Sequence, residues 1–392
     1  MVKQIWVVVI AELFSTSLWF SANSASDSLT KLWGLTPSDI GFLTNSVQIG
    51  FIVGTLFFSL SGWADKYSSS KIFALSSILG AVFNALFAIF SEGLTSASAF
   101  RFVVGLSLAG IYPLGMKLIV SWDPKTAGKS LGLLVGMLTL GTALPHGVRW
   151  LGADLSWQLI ILSSSCLALL AALPVSLLGD GPHLKSLTNR PRIAFSNVLQ
   201  AFRVREFRLS AMGYFGHMWE LYAFWTILPL LLLPIVSSDD LLPASYVSGL
   251  AFVIIGVGAL GCILGGVASQ RLGSARVAWT ALLTSGLICF IYPFLEQASP
   301  FFKLISLLVW GFAVVADSPQ FSAMSAKACP PELVGTALTI QNSIGFLITV
   351  LSISIVTFAL PYVGDKVAWI LLPGPIFGLS FMRTLLSSKS AQ

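Results

Sequence analysis

Charge is what this sequence has least of. Asp, Glu, Lys and Arg make up 10% of its residues, less than half the share in an ordinary soluble domain, so most of the chain has little with which to hold water at its surface. Histidine is scarce too, with 3 in 392 residues. The 4 cysteines, Cys166, Cys262, Cys289 and Cys329, show no CxxC or other ligand spacing, which argues against a zinc site or a disulfide framework and marks them as small core hydrophobes. No Gly-rich phosphate loop and no Ser/His/Asp or metal constellation is present, so an enzyme is not expected, and neither is a cofactor or a metal.

What the chain does contain is apolar: 56% of it is hydrophobic. Runs of about 20 apolar residues cross roughly 30 Å of hydrocarbon as helices, and lipid leaves the backbone little alternative. Twelve such runs occur, with cores at 4–24, 39–61, 71–91, 99–121, 128–150, 157–178, 209–234, 245–268, 276–295, 302–323, 334–360 and 367–386. The first follows Lys3 and precedes Ala22 and Ala25, as a signal peptide would. Glu12 interrupts it, however, and it is long enough to span, so a retained helix is expected. Loops on the side of the termini hold 16 Lys and Arg, whereas the opposite loops hold only Lys31, Lys303 and Lys366. The positive-inside rule then places both termini in the cytoplasm and the protein in the cell (inner) membrane. This bias accounts for most of the net charge of +6, so the lipid bilayer is expected as a partner and nucleic acid is not. A monomer is expected.

One offset recurs along the chain. Trp19/Trp225, Pro37/Pro243, Gly50/Gly256, Gly80/Gly286, Gly105/Gly311, Pro113/Pro319 and Pro124/Pro330 are each 206 residues apart and fall on corresponding turns and apolar runs. One unit is used twice, the pattern of a transporter with two parallel halves. The longest polar stretch, Asp180 to Glu206, joins them and divides the chain into an N-terminal six-helix half (1–179), a cytoplasmic linker (180–206) and a C-terminal six-helix half (207–392). Phe195, Val198, Leu199 and Phe202 recur at helical spacing beside Arg203 and Arg205, so an amphipathic linker helix on the membrane surface is expected.

The loop after the second run reads Ser61-Gly62-Trp63-Ala64-Asp65-Lys66-Tyr67, then Lys71; the loop after the eighth has Gly266, Gln270, Arg271, Gly273 and Arg276. Both resemble the G-x-x-x-D-R-x-G-x-x-R signature that major facilitator superfamily transporters carry in each half, although Ser61 and a serine run break the first copy and Gln270 replaces the acid of the second. The resemblance implies an all-α membrane protein, twelve transmembrane helices in two six-helix pseudo-symmetric halves. It also implies a latch that closes the inward side: Asp65, Lys66, Lys71, Gln270 and Arg271 are gating candidates, with Asp65 facing a helix N-terminus. Arg101-Phe-Val-Val-Gly105 is similar to an R-x-x-x-G signature of proton-coupled members. Gly132, Gly136, Gly141 and Pro145 do not match the G-x-x-x-G-P pattern of antiporters. The stretches 11–20 and 213–222 look like a poorly characterised bacterial branch loosely labelled nitrate-, nitrite- or cyanate-transporter-like. Nitrate carriers use arginines within the second and eighth spans, and both lack them here.

Ionisable groups inside spans are costly enough that each is a functional candidate. Six matter: Glu12, Arg101, Lys117, His217, Glu220 and Asp317. All fall on runs one, four, seven and ten, which the resemblance places around the central cavity. Tyr214, His217, Glu220 and Phe224 share one helical face, and Glu220 lies about 18 Å along its helix, near the midplane. Burial penalises its charged form while a protonated His217 would favour it, so Glu220 is the first candidate for proton coupling, with Glu12 and His217 beside it. Trp19 and Asn23 share the face of Glu12. Arg101, with Tyr112 further along its run, is suited equally to gripping an anion and to an internal ion pair with Glu12 or Glu220. Trp19, Asn23, Tyr112, Tyr214, Phe224 and Trp310 complete the substrate candidates. Lys117 and Asp317 form a possible cytoplasmic gate pair or are helix-end residues, and His146 and Arg149 are expected at the outer rim of run five. The leading expectation is a secondary transporter moving a small polar, anionic solute by alternating access in symport with protons. The alternative is a proton-coupled antiporter exporting a drug- or siderophore-like compound.

Overall fold

The computed structural model describes residues 2–124, 127–184, 201–237, 243, 245–329 and 334–387. The side chain of Asp65 and the linker residues Phe195, Val198 and Leu199 lie outside the described residues, so the latch role of Asp65 and the amphipathic linker helix lie outside them too.

Among the described residues the helices form twelve spans. The first is built from Val2–Thr16, Ser21–Ser24 and Ser26–Trp33. The second to sixth are Pro37–Ser61, Ser69–Phe90, Leu94–Trp122, Ala127–Leu151 and Trp157–Leu178. The seventh to tenth are Arg205–Ser237, Tyr246–Leu272, Ser274–Leu295 and Pro300–Ala328, and the last two are Val334–Val363 and 367–387. Ten stretches are individually long and apolar enough to cross a membrane. The count is lower than twelve because the first span is broken and because Ala337–Leu386 holds two helices joined at Gly364–Lys366. Local chemistry sets several ends. Thr36 and Asp39 form a reciprocal capping box with Pro37 at the first helical position, and Gly62 ends the second span in the left-handed region that glycine adopts without strain.

Three spans are interrupted where they approach the centre. In the first, Thr16 and Ser17 turn their hydroxyls back onto the carbonyls of Glu12 (2.7 Å) and Phe14 (2.6 Å), and Leu18 and Trp19 bond only three residues back. Such side chains compete with the helical ladder, so the expected continuous 4–24 helix stops at Thr16. In the fourth, Leu94–Leu108 gives way to Tyr112–Trp122 just before Pro113. In the tenth, Pro300–Ala316 gives way to Ser318–Ala328 just before Pro319. A proline cannot donate to the carbonyl four residues back, and the Val315 carbonyl accepts from Asp317 N and from the Cys262 thiol at 3.3 Å instead.

The halves meet along two seams. The second span packs on the eleventh, where Asn45 Nδ2 donates to Val350 O (3.1 Å) and Ser354 Oγ (2.9 Å). The fifth packs on the eighth, where Gly132 and Gly136 let the backbone of Cys262 and Ala259 come close. Cys262, Cys289 and Cys329 are buried as expected, but Cys166 is exposed on the outside of the bundle.

Candidate functional site

Where the halves meet, a cavity of about 20 Å³ is lined by Tyr112, Val135 and Leu138 of the N-terminal half and by Tyr214, Tyr222, Trp225, Ser318, Ser322, Asn342 and Phe346, among others, of the C-terminal half. It has room for roughly one water. Aromatic rings close it off. Trp19 lies 5.1 Å from Phe51, 5.5 Å from Tyr222 and 5.6 Å from Phe346, and Phe20 packs edge-on against Trp225 at 6.0 Å. Trp19 and Phe20 come from the broken segment of span one, so the break delivers two rings to the plug. The lining carries hydroxyls, an amide and an indole, and no charged side chain.

None of the six ionisable candidates lines this cavity; five of them, Glu12, Arg101, His217, Glu220 and Asp317, are buried elsewhere and Lys117 is half-buried. Glu220 accepts hydrogen bonds from Trp310 Nε1 (2.6 Å), Ser285 Oγ (2.9 Å) and Cys289 Sγ (3.3 Å), all within the C-terminal half. Phe224 stacks on Trp310 at 4.4 Å behind it. The face 217/220/224 therefore points into the C-terminal half, and the cavity sees the neighbouring face, Tyr214, Met218, Leu221, Tyr222 and Trp225. Both faces pass through Tyr214, and only one was followed in the sequence. Tyr222, Trp225 and Phe346 were missed as site residues; the spacing 214, 218, 221/222, 225 was the available signal for the first two, and Phe346 lies on span eleven outside it.

Arg101 is fully buried and serves the break in span one. Its Nη1 donates to Leu18 O (3.0 Å), Ser21 Oγ (3.0 Å) and Asn84 Oδ1 (2.9 Å), and Nη2 donates to Trp19 O. The guanidinium thus replaces the missing helical partners of two carbonyls. It is not paired with Glu12 or Glu220, which corrects that expectation: backbone carbonyls at a helix end offer a fixed fork for five donors without a second buried charge.

Glu12 is also fully buried, yet neither carboxylate oxygen has a hydrogen-bond partner among the described residues. Its side chain lies against Gly115 and Phe73, where a Cβ on Gly115 would come 2.5 Å from Oε2.

His217 and Asp317 are brought together. Nδ1 and Oδ1 are 2.9 Å apart and both side chains are 1% exposed; the atoms sit at ion-pair distance but outside hydrogen-bond alignment. Lys117 donates to Ala64 O in the loop after span two, so Lys117 and Asp317 do not form the expected gate pair.

The remaining candidates fall as follows. Trp19 donates to Gln48 Oε1 at 3.1 Å and Asn23 to Thr44 Oγ1 at 2.8 Å, tying span one to span two. Lys66 lies over the Tyr67 ring at 5.4 Å, and Lys71, Gln270 and Arg271 are exposed. The acid that caps a helix near this loop is Asp180, whose carboxylate accepts from Ser69 N (3.0 Å) and Ser70 N (2.8 Å) at the start of span three. His146 is buried, and Arg149, one turn further on, is paired with Asp27 at 3.0 Å.

Twelve spans in two halves close on a central cavity with broken helices around it. The Major Facilitator Superfamily model matches residues 8–379, and the chain belongs to that family. The chain is similar to the niacin transporter NiaP of Acinetobacter baylyi, 30% identical over 36% of this chain and 34% of that protein. It is also similar to a protein of Cupriavidus pinatubonensis named as a 4-methylmuconolactone transporter, 26% identical over 52% of this chain and 49% of that one. The matched stretches thus span less than half the length of these relatives. A D-xylose-proton symporter crystal structure superposes with a TM-score of 0.77 at 15% identity, covering 96% of both chains, and shows the shared fold.

Proposed function

We propose that this protein is a secondary transporter that carries a small, flat, ring-bearing organic acid across the cell membrane by alternating access, in symport with a proton. The observation that carries the reading is the cavity between the halves, with the rings of Tyr112, Tyr214, Tyr222, Trp225 and Phe346 beside Asn342, Ser318 and Ser322. Aromatic faces stack on a planar ring, while hydroxyl and amide groups hydrogen-bond a carboxyl without a cationic side chain. The similarity to proteins named for niacin and 4-methylmuconolactone supports the same class. The small size of the cavity fits a solute that opens it on entry.

Proton coupling is assigned to Glu12 in preference to Glu220. An ionised carboxylate buried without a donor costs several kcal/mol, and neither oxygen of Glu12 has a hydrogen-bond partner among the described residues, which supports Glu12 as the carrier of the proton. Glu220 has three donors to stabilise it and serves as an acceptor that ties span seven to spans nine and ten. Both termini are cytoplasmic on the charge bias described above.

The test is uptake of radiolabelled nicotinate and benzoate into proteoliposomes under an inward proton gradient. Accumulation above equilibrium is expected for the wild type. Glu12→Gln should lose gradient-driven accumulation and keep counterflow exchange, which needs no net proton movement. Neither acid being accumulated would refute the substrate class, and full accumulation by Glu12→Gln would refute the coupling role. Accumulation in everted vesicles alone would favour the exporter.

A further inference from the structure

The breaks in spans four and ten are repeat partners, since Pro113 and Pro319 lie 206 residues apart and each follows the interruption. The groups beside them are not equivalent. His217 and Asp317 correspond through the same offset to Ala11 and Ile111, which are apolar and buried. The N-terminal half therefore carries apolar residues at positions where the C-terminal half carries a buried acid and base 2.9 Å apart. The clamp that the N-terminal half does have, Arg101 on the break of span one, is made by a cation that never loses its proton in a protein.

Asp317 is the single residue between the two helices of span ten. Its carbonyl accepts from Gln320 N (2.9 Å) and Phe321 N (3.0 Å), so it starts the second helix. Ser318 and Ser322, the next residues along that helix on the cavity side, line the cavity together with Tyr214 of span seven. His217 stands one turn from Tyr214, with the rings of Tyr214 and Phe321 at 6.0 and 5.9 Å. The contact thus links the two helices that supply Tyr214 and the two serines.

We propose that His217 is a positioning residue for the cavity, and that its contact with Asp317 is a protonation-sensitive clamp on the break of span ten. Imidazole gains and loses its proton in the physiological range. With the proton, His217 balances the buried carboxylate; without it, Asp317 faces a neutral ring and the start of the second helix loosens. The other titratable groups around the pair are Tyr214 and Glu220 on span seven, and Cys262 on span eight, whose thiol is bonded to Val315 O. Glu220 is held by its three donors. Lys327 of span ten, Arg271 of span eight and Arg383 of span twelve are exposed, and the part of span eleven packed here has no charged residue. The proposal rests on the cavity being the substrate site, but its test does not.

That test is hydrogen–deuterium exchange of the segment 312–322 in the reconstituted full-length protein at about pH 6 and about pH 8, corrected for the intrinsic rate. The wild type should exchange about fivefold faster at the higher pH, a shift of about 1 kcal/mol in local opening, while the segment 15–24 held by Arg101 should not change. His217→Gln should exchange fast at both pH values. Asp317→Asn, which keeps the shape and removes the charge, should lose the pH dependence, and it decides the matter if His217→Gln does not fold. Protection that is independent of pH in the wild type, or pH dependence that survives in Asp317→Asn, would overturn the clamp. Nicotinate binding measured on the same samples separates the two readings, because its absence counts against the substrate class and leaves the exchange result standing.

Discussion

Gly105 and Gly311, 206 residues apart, make the same contact in the two halves. A Cβ on Gly105 would overlap the carbonyl oxygen of Val47 in span two, and one on Gly311 would overlap that of Ile254 in span eight. The repeat visible in the sequence is thus a repeated close approach of two helix backbones, four on two and ten on eight, and glycine is retained in both because any side chain would push the helices apart.

Gly105→Ala and Gly311→Ala should each destabilise the protein by about 1–3 kcal/mol, the usual range for overpacking a close contact. Thermal unfolding in detergent measures it, and a variant as stable as the wild type would mean that the helix pair relaxes freely.

Arg101→Lys should behave as a loss. An ammonium is compact and cannot serve Leu18 O, Trp19 O, Ser21 and Asn84 together, so a cost of about 3 kcal/mol is expected from the buried acceptors left without a donor. Because Trp19 and Phe20 leave the break that Arg101 holds, quenching of tryptophan fluorescence should rise as the plug loosens.

Trp310→Phe keeps the stack on Phe224 and removes the N–H that Glu220 accepts. Stability should fall by about 1.5–3 kcal/mol, as for a hydrogen bond to a charged or strongly polar acceptor, while the KM for nicotinate stays within about twofold because neither ring lines the cavity. Tyr222→Phe should do the opposite, raising KM up to about tenfold with little loss of stability.

Asn45 and Ser354 pin span two to span eleven across the halves. Cysteines placed at these two positions and joined through disulfide bonds to a short bis-thiosulfonate reagent should stop uptake of the proposed substrate class, with recovery when the disulfides are reduced. Undiminished transport by the joined protein would show that this seam stays closed throughout the cycle.

The number of spans, the duplicated scaffold and the identity of the buried ionisable groups were legible in the sequence, because hydropathy and a fixed offset are one-dimensional properties. Glu12, Arg101, His217, Glu220 and Asp317 were singled out correctly as buried; their partners were not foreseen. Arg101 serves backbone carbonyls, His217 faces Asp317, and Glu220 takes donors from spans nine and ten. Partners on other helices depend on rotation about each helix axis, and that rotation is read from sequence only when one face is apolar and another polar. Span seven offers no such contrast: 78% of its most apolar window is buried, against 44% for the sixth, ninth and tenth spans. A helix surrounded by protein shows no preferred face, so packing alone decided that Tyr214, Tyr222 and Trp225 meet the cavity while His217 and Glu220 turn inward.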